Sequence, residues 1–421
     1  MISVEEALQQ ILAQISLLGM ERVSIVQARG RVLGEDILAP RKIPPWDNSA
    51  MDGYALRWED IRSASDKNPV FLRVVADLPA GQVFHGQVKT REAIRIMTGA
   101  PIPQNLDTVV QSEDTEKSGD GVKILACPEK GKNIRRAGED VSAGEAVLRR
   151  GTILGAAHIG MLASFQRALA LVYQCPRVAI LSTGDELLEI DEPLAEGKIV
   201  NSNSYALAAQ VAESGGIPIQ LGIAKDRSED LEEKILQGTG ADILITSGGV
   251  SVGDYDLVKV MLQKLGQMNF WKVAMRPGQP LAFGLLKGKP LFGLPGNPVS
   301  SMVSFEQFVR PSILKMAGRT NLFRPILRAV LLETIEKKAG WMHFIRCRLS
   351  REGEKVVATT TGEQGSGILS SMVKAQGLIA IPQEKTCVRS GEEVNVLLID
   401  PDFLNRALPL YLPSSRGKEK S

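Results

Sequence analysis

A chain of 421 residues with 50 Lys+Arg against 48 Asp+Glu, a formal charge of +2 and 5% aromatics has room for two to four domains, but neither the basic field nor the stacking platforms of a nucleic-acid binder. No apolar run is as long as a membrane span, and the start Met1-Ile-Ser-Val-Glu-Glu-Ala7 lacks the basic region and apolar core of a signal peptide. Four scattered cysteines (Cys127, Cys175, Cys347, Cys387) and three isolated histidines (His85, His158, His343) argue against a disulfide framework or a zinc site, so a soluble protein of the reducing cytoplasm is expected.

Residues 3–18 predict an amphipathic helix, with Ser3 and Glu6 as a capping box and Leu8, Ile11, Leu12 and Ile15 at helical spacing. After Pro40 the chain becomes turn-rich, and between 55 and 138 short β-like runs (71–75, 93–97, 108–112, 122–125) alternate with Gly and Pro turns, as in a small β-rich insertion. Residues 141–172 return to small and apolar types, with 156–163 helical; the insertion leaves this part split in sequence but joined in space.

From Arg177 the rhythm is β-α-β: strands at 178–181, 218–224 and 243–245, helices at 205–213, 228–236 and from Leu257. Later strands lead to Leu294-Pro295-Gly296-Asn297-Pro298 and a helix ending near Ala317. This predicts a doubly wound α/β domain. Alternating runs at 329–335, 343–349, 356–361, 378–381 and 394–399 predict a small β-barrel or sandwich, and the polar tail after Pro413 reads as disordered.

Three strand-end turns carry the chemistry: Thr183-Gly184-Asp185-Glu186, Thr246-Ser247-Gly248-Gly249 with Asp254 beyond, and Leu294 to Pro298. In a parallel sheet such turns share the carboxyl edge and can converge on one ligand. Ser247, Gly248 and Gly249 would supply backbone donors for phosphate. Asp185, Glu186 and Asp254 would supply carboxylates for Mg²⁺. Gly296 permits close approach, and Asn297 can bond a polar ring edge or fix its loop. Taken singly, each turn reads equally well as punctuation, with Asp185 a helix cap; three together point to a site. The segment around Asp52 (Asn48, Ser49, Ala50, Met51, Gly53, Tyr54) joins an acid to small residues without a period, and Arg135 and Arg136 read as a solvated face or an anion contact.

Segments 47–55, 97–100, 138–141, 182–187, 245–256, 275–283 and 293–300 stand in the order found in the bacterial molybdopterin molybdenumtransferases, the MoeA family related to the gephyrin E domain. The resemblance spans nearly the whole chain. It implies a multidomain α/β plus β protein: an elongated helical and linker domain (1–54 and 139–174), a lid-like β-rich insertion (55–138), a central doubly wound α/β domain of the molybdopterin-binding type (175–322), a C-terminal β-barrel (323–405) and a disordered tail (406–421). It also implies a homodimer whose active cleft lies between the α/β domain of one subunit and the insertion of the other.

The implied reaction inserts molybdenum from molybdate into adenylated molybdopterin with Mg²⁺ and releases AMP, with the adenylyltransferase and acceptor molybdoenzymes as further partners. By motif position, Asp52, Thr98, Asp140, Glu186, Asp226 and Asp254 resemble the family's catalytic polar residues. Glu186, Asp226 and Asp254, with Asp185, would hold Mg²⁺, while Asp52, Thr98 and Asp140 reach in from the partner subunit. Arg346 and Ser366 resemble further anion-contacting positions.

One departure stands out. The family carries lysines on both sides of Pro-Gly, whereas this chain reads Met275-Arg276-Pro277-Gly278-Gln279-Pro280. Arg276 keeps a charge with a forked donor set; Gln279 does not, and Lys287 or Lys289 would have to compensate. Two other functions compete. A pterin-binding scaffold has no need of the acids at 52, 140, 186, 226 and 254, and a molybdopterin adenylyltransferase has no need of the ~170 residues before the α/β domain.

Overall fold

The computed structural model describes residues 1–225, 227–249 and 257–405. They form two compact units, Arg22–Val172 on the one hand and Met1–Glu21 with the chain from Tyr173 on the other. No helix among the described residues is long and apolar enough to cross a membrane.

Helix α1 (Val4–Gln14) starts where the sequence places it: Ser3 Oγ accepts from Glu6 N–H, and the Glu6 carboxylate accepts from Ser3 N–H. Such a box stabilises a helix by about 1 kcal/mol. The helix is shorter than the 3–18 periodicity suggests, because Ile15 turns extended to cap it. Although α1 lies in the 1–54 segment, Ala7, Ile11 and Ile15 pack into the α/β core with Phe305 and Phe308.

In the unit Arg22–Val172, strands β1 (Gly53–Leu56), β2 (Val70–Leu78), β3 (Glu92–Ile96), β4 (Thr108–Gln111), β5 (Thr115–Ser118) and β6 (Gly121–Ile124) make a mixed sheet in the order β4-β1-β3-β2-β6-β5. Leu33 and Ile37 share a core with Val141, Leu162 and Val172, the last two from and after helix α2 (Ala156–Ser164). The segments on either side of the insertion therefore meet through burial.

In the other unit the chain runs β7 (Arg177–Thr183), α3 (Ser202–Glu213), β8 (Ile217–Ala224), α4 (Ser228–Gly238), β9 (Ile243–Ser247), α5 (Leu257–Leu265), β10 (Gln267–Lys272), β11 (Met275–Arg276), β12 (Pro280–Leu286) and β13 (Lys289–Leu294). Helix α6 (Pro298–Ser304) continues through a π turn into α7 (Arg310–Met316). The sheet order is β8-β7-β9-β13-β12-β10. Its first four strands are parallel; β12 runs antiparallel to β13, and β10 antiparallel to β12, so the sheet is mixed at one edge. Strand alternation explains the two layers of helices. Val178, Ile180, Ile243, Ile245 and Phe292 face one core with α3 and α6, whereas Ala179, Leu181, Leu244 and Leu291 face another with Leu231 and Ile235 of α4. Each such buried side chain contributes about 1.5–3 kcal/mol, and Phe292→Ala would cost about 3–5 kcal/mol.

Strands β14 (Ile326–Leu331), β15 (Met342–Glu352), β16 (Lys355–Thr360), β17 (Gly377–Ile381) and β18 (Glu393–Leu398) close into a barrel, because β15 pairs with both β16 and β17. The short helix α8 (Leu369–Val373) precedes β17. Strand β11, between β10 and β12 in the chain, takes no part in the α/β sheet and pairs in parallel with β15, setting Arg276 opposite His343.

Candidate active site

The register of the parallel strands aligns Ser182 with Ser247 and Ser247 with Leu294. All three strands therefore end on one row, and the turns that follow converge, as the sequence predicts. They wall a cavity of about 540 Å³ that takes in Glu186, Ser247, Gly248, Gly296 and Asn297, together with Asn201 and Asn203 from the start of α3.

Gly248 has φ +95°, and a Cβ there would come within 2.9 Å of the Thr183 carbonyl oxygen, so only glycine fits beside the end of the neighbouring strand β7. Its N–H, however, donates to Leu294 O at 3.0 Å. This corrects the expectation that Gly248 offers its N–H to a phosphate: the donor is already consumed at the strand end. Ser247 instead contributes its hydroxyl, on a residue only 3% exposed.

Asp185 and Glu186 lie exposed in the turn after β7. No helix begins there, since a strand pair at Leu187–Leu188 follows, so Asp185 is not a helix cap. Gly184 has φ +143°, and a Cβ on it would fall 2.7 Å from the Glu186 carboxyl carbon. The Glu186 carboxylate thus folds back over a position that only glycine leaves open. The turn is tied by Lys198 Nζ, which donates to Asp185 O at 2.6 Å. Asp226 and Asp254, the other expected Mg²⁺ ligands, lie outside the described residues. Among the described residues no three His, Cys, Asp or Glu side chains gather in a metal-holding group.

A second cavity, about 600 Å³, is walled by Arg276, Gln279, His343, Arg346 and Ser366. Arg346 on β15 is 1% exposed and has no carboxylate partner among the described residues. Its Nε donates to Ser371 Oγ at 3.1 Å and its Nη2 to Gly365 O at 3.0 Å, while Gln364 brackets its backbone. Burial draws its pKa down to about 10, so the guanidinium remains charged at neutral pH. A buried unpaired cation is costly, and an oxyanion is the natural complement to its fork of donors. Arg276 stacks over Trp341 at 4.8 Å. Burial, with Lys337 and Arg276 nearby, lowers the His343 pKa to about 4, and its buried Nε2 has no partner among the described residues. Lys287 and Lys289 do not compensate for Gln279: they sit at the opposite end of β13, where Lys289 pairs with Asp242 at 3.4 Å.

The two cavities meet at Asn297 and Ser366. Asn297 Nδ2 donates to Ser366 Oγ at 3.1 Å, and Val299 N–H donates to Ser366 O at 3.1 Å. Asn297 therefore ties a loop of the barrel to the turn after β13.

In the unit Arg22–Val172, Asp52 Oδ1 accepts from both Thr98 N–H and Thr98 Oγ–H at 2.7 Å. The backbone donor first, then the hydroxyl, holds the Asp52 carboxyl below the usual range. Both side chains are exposed, as is Asp140, whose N–H donates to Ile43 O at 3.0 Å. The turn before Asp140 is clamped by Asp47, which accepts from Arg136 Nη1 at 2.6 Å and Ala137 N–H at 2.8 Å. The expected residues thus fall into three groups: Asp52 with Thr98, Glu186 with the strand-end turns, and Arg276, Gln279, Arg346 and Ser366 around the second cavity.

Asn201 and Asn203 were legible in the sequence only as a helix start. Asn201 caps α3 and its Oδ1 accepts from Ser182 Oγ–H at 2.8 Å. Nothing in the local pattern marks either as part of a site; the one available signal is two asparagines within three residues opening a helix behind a site-bearing strand.

Comparison with known proteins gives a consistent pattern. The chain matches the MoeA N-terminal region (domain I and II) over residues 2–165, the probable molybdopterin binding domain over 179–315, and the MoeA C-terminal region (domain IV) over 328–399. It is 36% identical over 402 residues to the molybdopterin molybdenumtransferase of Haemophilus influenzae, covering 94% of this chain and 98% of that one. It is 40% identical to the protein of the same name from Nostoc sp., covering 90% and 88%. A crystal structure of the molybdopterin biosynthesis MoeA protein from Pyrococcus horikosii superposes with a TM-score of 0.82 at 32% identity, covering 94% of this chain and 98% of that chain.

Proposed function

This chain belongs to the MoeA family of molybdopterin molybdenumtransferases, and we propose that it inserts molybdenum from molybdate into adenylated molybdopterin, with release of AMP, in molybdenum cofactor biosynthesis. The observation that carries this reading is the adjacency of two unlike cavities, one rich in neutral polar groups at the sheet edge and one built around the unpaired Arg346, with Asn297 and Ser366 between them. A transfer between a nucleotide-linked pterin and a tetrahedral oxyanion requires two such sites side by side.

In this reading the first cavity holds the pterin nucleotide. The Ser247 hydroxyl and the Asn201 amide, whose buried Nδ2 has no acceptor among the described residues, suit the ring and phosphate oxygens. The second cavity takes molybdate, which the Arg346 guanidinium, and Arg276 on its Trp341 platform, would hold by charge-assisted hydrogen bonds. Gln279 adds a neutral donor where the family carries lysine, so the site relies on two arginines.

Mg²⁺ fits the donors on hand: Glu186 on the cavity wall and Asp185 beside it offer hard oxygen ligands, and one or two carboxylates with substrate phosphate oxygens form a usual Mg²⁺ site. When bound, the ion would offset the negative charge of the phosphoanhydride. Asp52, Thr98 and Asp140 belong to the same reaction in a homodimer, each subunit lending them to the other's cleft.

The test is turnover by the purified protein. AMP release should need adenylated molybdopterin, molybdate and Mg²⁺ together, and chelation of Mg²⁺ should stop it. Pterin binding without AMP release, all three being present, would replace this reading by a scaffold.

A further inference from the structure

Asn203 lies in the first turn of α3 and walls the first cavity. Its side-chain amide bonds Ser247 Oγ at 2.9 Å and Gly296 O at 2.7 Å. A carbonyl oxygen can only accept, so the atom facing Gly296 must be Nδ2, which settles the orientation of the amide on chemical grounds. Both Nδ2 hydrogens are thereby used, one at the end of β9 and one at the turn after β13.

Two consequences follow from that single group. It joins three segments at the sheet edge, since α3, Ser247 and Gly296 are otherwise held apart by 44 and 93 residues of sequence from Asn203. It also commits the Ser247 oxygen as an acceptor. The hydroxyl hydrogen of Ser247 is left to be donated, and among the described residues no acceptor takes it. Ser247 walls the cavity, so an acceptor oxygen of the bound ligand is the partner that the arrangement lacks.

We propose that Asn203 is a positioning residue: it holds Ser247 as a hydrogen-bond donor toward an acceptor oxygen of the pterin nucleotide, and it locks the Gly296 turn against that donor. The inference rests on the reading of this cavity as the pterin nucleotide site. Asn203 works through Ser247 and Gly296.

The test is a double-mutant cycle on AMP release from adenylated molybdopterin, using Asn203→Ala, Ser247→Ala and the pair, with Asn203→Asp as the isosteric probe. Ser247→Ala should raise KM for the pterin nucleotide about 10-fold, the loss of one neutral hydrogen bond in a buried site. Asn203→Ala should do at least as much alone, yet add less than about twofold on the Ser247→Ala background, because the donor it positions is gone. Asn203→Asp places a carboxylate against Gly296 O and draws the Ser247 hydrogen onto itself, so it should match or exceed the Asn203→Ala defect. Should Asn203→Asp lose its fold by circular dichroism, Asn203→Ser, smaller and uncharged, takes its place in the cycle with the same expectation. Effects that multiply fully in the double mutant, or an Asn203→Asp enzyme with unchanged KM, would overturn the positioning role. Failure of the unmodified protein to release AMP would instead overturn the functional reading beneath it, so the two failures are told apart.

Discussion

Asn297 Nδ2 donates to Ser366 Oγ across 3.1 Å, and with the bond from Val299 N–H to Ser366 O it ties the segment after β13 to the barrel loop whose Gly365 carbonyl accepts from Arg346. The pair stands between the two cavities. Ser366→Ala should cost about 0.5–1.5 kcal/mol of stability, the net worth of a neutral hydrogen bond. It should raise KM for molybdate about 10-fold and leave KM for the pterin nucleotide within about twofold, since Ser366 walls only the second cavity. Asn297→Ala, which walls the first, should raise both. Steady-state kinetics with each substrate varied in turn would decide it, and equal effects of Ser366→Ala on both constants would contradict the assignment.

Arg346 offers a contrast between stability and binding. A buried guanidinium without a carboxylate contributes little to folding, so Arg346→Met should change stability by no more than about 1–2 kcal/mol. Molybdate should stabilise the unmodified protein by about 2.7 kcal/mol at a hundred times its dissociation constant. Arg346→Met should lose that gain. Thermal melts with and without molybdate would check both halves, and a retained anion-dependent shift would place the oxyanion elsewhere.

Asp52 is expected to be functional without being structural. It is exposed, so Asp52→Asn should leave the melting temperature nearly unchanged while lowering turnover about 100-fold. The Thr98 backbone and hydroxyl donors depress its pKa, so whatever stability the clamp adds is present above the usual carboxylate value and fades as pH falls through the lower folded one. The carboxylate is therefore ionised at any neutral pH. Thr98→Ala keeps the backbone donor and should lose less than Asp52→Asn; the reverse order in a turnover assay would be inconsistent with the clamp.

Gly184→Ala should act on Glu186. A Cβ at that position meets the Glu186 carboxylate and must also adopt φ +143°, which a side chain rarely does. The substitution should raise the Mg²⁺ concentration for half-maximal activity, as should Glu186→Gln. Titration of activity with Mg²⁺ would check this, and unchanged requirements in both variants would remove Glu186 from the cation site.

His343 predicts a pH-dependent stability. Above pH ~6.5 the imidazole is neutral in folded and unfolded chains alike and contributes nothing to the balance. Between there and its folded value of about 4, only the unfolded chain takes up the proton, so folding weakens as the pH falls. The loss should be on the order of 1–3 kcal/mol, reduced by whatever solvent reaches the ring. His343→Gln should flatten this part of the curve. Urea midpoints at pH 7 and pH 4.5 would show it, and parallel losses in both proteins would exclude the imidazole as the source.

Much of the architecture was legible because it is local or periodic. The Ser3–Glu6 box closes over three residues, and the unbroken apolar run 178–181 already specifies a strand buried on both faces. The three small-residue turns follow strands that the apolar runs identify, so their convergence needs only parallel pairing, and the motif resemblance supplied the family. What lies beyond the local pattern depended on how distant segments pack. That the Gly248 N–H belongs to Leu294, that Lys289 stands at the wrong end of its strand, and that β11 joins the barrel sheet are consequences of strand pairing. The same holds for Asn203, whose amide reaches Gly296 across 93 residues, and for Ser366, which meets Asn297 across 69. Residue types and their spacing along the chain mark which groups can carry the chemistry. Which of their hydrogen-bonding groups remain free to act follows from folding alone, because each donor and acceptor is committed or spared by neighbours brought together from distant parts of the chain.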